Sequence, residues 1–137
     1  MKIEEAIASL RRVNQRVPKP MRLPTQEELT RAEGDLGIQF HQDYRKYLLQ
    51  ASDVVFGAKE PCTVVFDGSH TDLVEVTLAA RKQMGLPVDL LPICEDNGDY
   101  YCMTKTGQVI FWSHQGQSGE GWSDLAEWIQ KVWIEEG

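Results

Sequence analysis

The sequence is poor in cysteine, and its few thiols are not placed for a disulfide frame or a zinc site. The three cysteines are Cys62, Cys94 and Cys102. An odd number without a C-x-x-C pair predicts reduced thiols buried among apolar neighbours. The three histidines show neither an H-x₃-H nor an HExxH spacing. The common zinc motifs are therefore missing, and the sequence predicts no metal and no cofactor.

Long apolar runs are also missing. No stretch of ~20 apolar residues exists, which excludes a transmembrane helix. The first residues, MKIEEAIASLRR, carry two glutamates where a secretory signal would have an apolar core. The sequence predicts a cytoplasmic protein that does not enter a membrane.

Positive charge is scarce and uneven. Fourteen Lys and Arg stand against twenty-one Asp and Glu, for a net charge of −7. Residues 1–22 hold six basic and two acidic groups, a net of +4, so residues 23–137 carry −11. An acidic surface repels phosphate backbones, which disfavours nucleic acid as a partner. Either these charged side chains are simply solvated at the surface, or the acidic surface of residues 23–137 suits a basic protein partner.

The spacing of the apolar residues, together with capping residues, prolines and glycines, predicts a series of helices, then strands, and then a final helix. Thr25 and Glu28 form a capping box for the second helix, which ends at Gly37, and Asp72 and Glu75 resemble another box. Asn97-Gly98 between apolar runs is a strong hairpin signal. The expected helices cover residues 2–16, 25–36, 41–52, 71–84 and 124–134, the last capped by Ser123, and the expected strands cover 62–66, 91–94, 100–104 and 108–113. This order indicates one α+β domain, with the helices packed on a mostly antiparallel sheet.

An ordered set of segments carries a family resemblance. It begins with residues 23–37 (LPTQEELTRAEGDLG) and 43–48 (DYRKYL). It continues with residues 91–100 (LPICEDNGDY), 108–112 (QVIFW) and 122–129 (WSDLAEWI). The set resembles the SUKH superfamily, in its Smi/Knr-like branch. The resemblance implies a SUKH-like α+β domain over residues 23–137. An N-terminal helix and a proline-containing connector, over residues 1–22, precede that domain. Phe40-His41 and Ala51-Ser52-Asp53 depart from the family pattern at the two ends of the third helix.

The resemblance implies a protein-binding role without catalytic residues. Bacterial members resemble immunity proteins that bind and neutralise a toxin, commonly a nuclease or deaminase, and fungal members resemble scaffolds that regulate cell-wall synthesis. We therefore expect a protein partner, most concretely a basic toxin domain. A scaffold or regulator with a different partner, and a small hydrolase, are the alternatives. A symmetric homodimer through exposed aromatic side chains also stays open.

The candidate partner-binding residues surround the predicted hairpin. They are Glu95, Asp96, Asp99, Tyr100, Trp112 and His114. These acidic side chains either accept hydrogen bonds from backbone amides of the turn, or they pair with Lys or Arg of a partner. In the second case the neighbouring aromatic side chains serve as anchors. The interpretation as a calcium-binding loop has less support, because the D-x-[DN]-x-[DN]-G pattern and the distal Glu are missing. Residues 113–121 read as a Gly-rich loop, either a plain connector or a segment that reaches the partner.

Overall fold

The computed structural model describes the backbone of all 137 residues and every side chain except those of residues 116–118. The helices are α1 (Ile3–Val13), α2 (Gln26–Leu36), α3 (Gln42–Ala51), α4 (Leu73–Met84) and α5 (Leu125–Trp128), and α5 continues as a π-helix over Ile129–Ile134. The strands are β1 (Leu91–Asp96), β2 (Asp99–Met103), β3 (Val109–Ser113) and β4 (Gly116–Trp122). The α+β class predicted from the sequence is confirmed.

Local signals place the starts and ends of the helices. The Thr25 hydroxyl accepts a hydrogen bond from the Glu28 amide, and the Glu28 carboxylate accepts one from the Thr25 amide. Both predicted bonds of the capping box are therefore present. Gly37 ends α2 with a φ of 68°, a left-handed conformation that glycine adopts at little steric cost. Asp72 caps α4 by accepting from the Val74 amide.

The sheet is an antiparallel meander with the order β1-β2-β3-β4. Its first three strands were predicted. The fourth was not, because a run of small and polar residues has low strand propensity. It forms because its backbone pairs with β3, with Trp112 opposite Gln117 and Ser113 opposite Gly116. The expected loop over residues 113–121 is therefore wrong.

The predicted strand over residues 62–66 is also wrong. This segment makes only two isolated bridges, Pro61 with Cys94 and Thr63 with Asp72. Phe66 has a φ of 52°, which turns the chain away from any ladder. The β-branched and aromatic composition instead reflects burial, since the Cys62, Thr63 and Val64 side chains are all inside.

Two apolar clusters lie on opposite faces of the sheet. The larger one joins α1, α2, α3 and α5 to the face that carries Tyr101 and Met103. The smaller one packs Ala80 of α4 against Cys102 and Trp112 on the other face. Successive side chains of β2 therefore point to opposite faces of the sheet, as in any extended strand.

The C-terminal helix differs from its prediction in two ways. Its cap is Asp124, whose side chain accepts from the Glu127 amide, and not Ser123. Its second half is a π-helix, in which i→i+5 bonding brings residues five apart onto one side. An α-helix would rotate Trp133 about 140° away from Trp128. Here both indoles are buried, with their ring centroids 6.3 Å apart.

In the part of the chain that the structure describes, none of the helices combines the length and apolar character needed to cross a membrane.

Candidate functional site

The β1–β2 hairpin brings the predicted acidic residues to one end of the sheet. Its two-residue turn is Asn97-Gly98, with φ values of 52° and 87°. Positive φ at both positions is the geometry of a type I′ turn, which matches the twist of the strands. The Gly98 amide donates to the Glu95 carboxylate across 3.2 Å. The turn therefore fixes Glu95 beside the tip.

Two of the predicted carboxylates face each other at that tip. Asp96 of β1 is directly opposite Asp99 of β2. Like charges in opposite positions of an antiparallel pair are destabilising. The His114 Nδ1 lies 3.8 Å from an Asp99 oxygen. A lysine or arginine from a partner would relieve this repulsion.

The other predicted residues form a row across three strands. Glu95 is opposite Tyr100, and Tyr100 is opposite Trp112. The Tyr100 and Trp112 ring centroids are 6.4 Å apart. Trp112 is only 8% exposed and packs in the smaller cluster, beside Tyr100 on the same face of the sheet. Tyr100 is half-buried and keeps a surface for contact.

A cavity of ≈ 420 Å³ opens beside this row, between the hairpin, α4 and residues 58–70. We call it the acidic cavity. Glu95, Asp96 and Tyr100 from the prediction line it, and Glu60 adds a further carboxylate. Val76 and Ala79 of α4 give it an apolar wall. The His70 ring contacts the Glu60 carboxylate at its rim.

Sequence reasoning alone does not assign Glu60 and His70 to this site. Both lie on an irregular segment, without a motif or a periodic pattern. The Cys62 amide donates to the Ile93 carbonyl across 2.8 Å, and the bridge at Pro61 adjoins it. These two contacts hold the segment along β1 and carry Glu60 to the hairpin. Such a long-range pairing has no local signal in the sequence.

The thiols are unsuited to nucleophilic chemistry. All three cysteines are buried. Burial raises the pKa of Cys94 and of Cys102 to about 12, and that of Cys62 well above its usual range. The thiolate is the reactive form, and at neutral pH these groups stay protonated. Among the residues whose side chains are described, no three His, Cys, Asp or Glu side chains are grouped to hold a metal ion.

Comparison with known proteins agrees with the resemblance seen in the sequence. The chain matches the family described as SMI1-KNR4 cell-wall, SUKH_5, over residues 3–134. No curated protein matches it. Among solved structures, it is similar to a protein from Pseudomonas syringae pv. tomato, with 41% sequence identity and a TM-score of 0.90. That alignment covers 96% of this chain and 98% of the other. Because the family match spans almost the whole chain, the protein belongs to the SMI1-KNR4 family of the SUKH superfamily.

Proposed function

We propose that this chain is a non-catalytic, cytoplasmic protein-binding module of the immunity type, which neutralises a basic toxin of the nuclease or deaminase class. One observation carries the proposal: Asp96 and Asp99 face each other at the hairpin tip, beside a cavity lined by two further carboxylates. Such an arrangement favours a cationic partner surface. Membership of the SUKH superfamily supports a binding role.

The surrounding charge adds to the attraction. Residues 23–137 carry a net charge of −11, so the field of the domain attracts a basic protein before contact. Complementary charge of this kind raises the association rate and selects partners more than it adds affinity. Once in contact, the half-buried Tyr100 ring offers an apolar anchor within the charged rim. Binding across the toxin's active site would then exclude its substrate.

The test uses the toxin domain encoded beside this chain, if the neighbouring gene specifies a large secreted protein with a variable C-terminal domain. The double variant Asp96→Lys/Asp99→Lys places positive charge at the tip. We expect the Kd for that domain to rise at least about tenfold, which corresponds to about 1.4 kcal/mol. Isothermal calorimetry and protection of cells that express the toxin are the readouts.

Glu27→Lys is the matched control. Glu27 is exposed on α2 and lines neither the acidic cavity nor the hairpin. The control changes charge by the same amount per residue and should leave the Kd within about twofold, apart from a small long-range effect. Equal affinity of the wild type and the double variant would contradict the site assignment.

A scaffold or regulator is the second candidate function. It is favoured by the family description, which names the cell wall. A pull-down at low salt and at ~0.5 M salt, which screens exposed charges, separates the two candidates. Capture of one basic toxin-like chain that weakens with salt supports immunity. Capture of envelope-synthesis proteins supports the scaffold.

A further inference from the structure

A second cavity adjoins the acidic one. It has a volume of ≈ 270 Å³ and is lined mainly by apolar side chains, among them Val17 and Met21 of the connector and Val55. Glu60 and His70 line both cavities. The two cavities therefore adjoin each other at these two residues, and together they extend from the connector to the hairpin tip. We call the second space the apolar cavity and the pair the groove.

The groove has opposite charges at its two ends. Glu60, Glu95 and Asp96 line the acidic cavity, and its described lining contains neither Lys nor Arg. The apolar cavity is lined by Lys19 and Lys59 in addition to its apolar residues. A cationic side chain is therefore favoured at the hairpin end and disfavoured at the connector end. This polarity favours one orientation of an occupant that carries a basic and an apolar side chain.

The acidic cavity suits a planar cation. Tyr100 exposes part of its ring there, and burial raises the pKa of its phenol, which stays neutral at neutral pH. An arginine guanidinium can stack on an aromatic ring while its N–H groups bind carboxylates in pairs. A lysine ammonium is more strongly hydrated and cannot make the bidentate contact. The geometry therefore favours arginine over lysine.

We infer that the groove binds an extended segment of the partner protein, which places an apolar side chain in the apolar cavity and an arginine against Tyr100 between Glu60 and Glu95. This inference rests on the proposed binding function and specifies the partner's contact. The bound segment crosses the Glu60–His70 contact, which forms the shared wall of the two cavities.

The experiment uses short synthetic peptides as probes. Each carries one leucine and one arginine, separated by serine spacers of increasing length, with both ends blocked. They are titrated into ¹⁵N-labelled full-length protein, and amide shift changes locate the contact. We expect one spacer length to shift amides of Val55, Glu60 and Tyr100 together. Replacing arginine by uncharged citrulline should weaken that peptide about two- to fivefold, the range of an exposed ion pair.

Point variants then test which side chain of the peptide each end of the groove binds. Glu60→Gln should weaken the arginine peptide about two- to fivefold and leave the citrulline peptide unchanged, because an ion pair is lost only in the first case. Met21→Ala should weaken the leucine peptide and leave a serine-for-leucine peptide unchanged. Glu27→Gln and Val88→Ala are the controls, since neither residue lines the groove.

Shifts confined to other surfaces, or equal effects of Glu60→Gln on both peptides, would overturn the inference. This result is distinct from failure of the proposed function. Glu60 and Met21 lie outside the hairpin, so Asp96→Lys/Asp99→Lys can still abolish toxin binding when the groove takes no peptide. In that case the tip alone binds the toxin. Lysine peptides that bind as tightly as arginine peptides would overturn the stacking geometry.

Discussion

Glu28 shows how one side chain can serve two local structures. One of its oxygens accepts from the Thr25 amide at 3.0 Å, which completes the capping box of α2. Both oxygens also bind the Arg22 guanidinium, at 2.7 and 2.6 Å. The box could be recognised from the sequence, because its residues are three apart. The pairing with Arg22 could not, since it depends on how the connector approaches the helix.

The first prediction concerns acid stability at this residue. The hydrogen bond from Arg22, together with that from the Thr25 amide, lowers the pKa of Glu28 to about 2 from an ordinary value of 4.5. Because the pKa is lowered in the folded state, the ionised Glu28 carboxylate stabilises the fold above about pH 4.5, and this stabilisation is lost as the pH falls towards 2. Glu28→Gln should therefore lower the free energy of unfolding by about 1 kcal/mol at pH 7.

Urea unfolding of the wild type and Glu28→Gln across this pH range tests the prediction. The difference between wild type and Glu28→Gln should shrink as the pH is lowered through the window between 4.5 and 2. Glu27→Gln, on the neighbouring exposed residue, is the matched control for removing one carboxylate from the first turn of α2. A difference that stays constant down to the acid end would contradict the assigned pKa.

Among the elements, α4 is the one that shapes the groove. Its first turn is fixed by Asp72, which is 2% exposed. One Asp72 oxygen accepts from the Val74 amide at 3.2 Å and the other from the Gly68 amide at 3.0 Å. The same side chain thus starts the helix and holds the loop that carries His70. The sequence predicted the cap and not the second bond, because the path of that loop is set by the bridge between Thr63 and Asp72.

The second prediction concerns this cap. Asp72→Ala removes both acceptors and leaves the buried Val74 amide without a partner, so it should lower the free energy of unfolding by about 2 kcal/mol. Asp72→Asn keeps one oxygen acceptor and should lose about half as much. Thermal and urea unfolding measure both variants. Equal stability of Asp72→Ala and the wild type would show that the loop and the helix are held by other contacts.

At the scale of the whole molecule, α1 belongs to the same core as the rest of the chain. Ile3, Ala6, Ile7 and Leu10 are buried in the larger cluster. The connector that follows is also pinned, because the Asn14 side chain accepts from the Val55 amide and the Gln15 amide donates to the Val55 carbonyl. The division at residue 22 therefore separates segments of sequence that share one core.

The third prediction concerns the truncation that removes residues 1–22. Each buried Ile or Leu of α1 contributes about 1.5–3 kcal/mol. Their sum is comparable to the whole stability of a domain, which is about 5–15 kcal/mol. The fragment 23–137 should therefore lose its near-ultraviolet circular dichroism and its cooperative unfolding. Retention of both would establish residues 23–137 as an independent domain.

The sequence by itself determined the features that act over a few residues. Thr25 with Glu28, Asp72, Gly37 and Asn97-Gly98 set the starts, ends and turns of the elements, because each makes hydrogen bonds or adopts its φ within its own turn of chain. The order of these elements was enough for the α+β class. The acidic hairpin could be named for the same reason, since Glu95, Asp96 and Asp99 are adjacent to its turn.

The tertiary structure decided what depends on distant partners. β4 is a strand because β3 offers it a ladder, and residues 62–66 are not one because only single bridges are available to them. The π-helix forms where it buries both Trp128 and Trp133 against the core. The groove joins Met21, Glu60, Val76 and Glu95 from four separate parts of the chain. Only packing brings such residues together, since the free energy of burial depends on the neighbours that cover a side chain rather than on its place in the sequence.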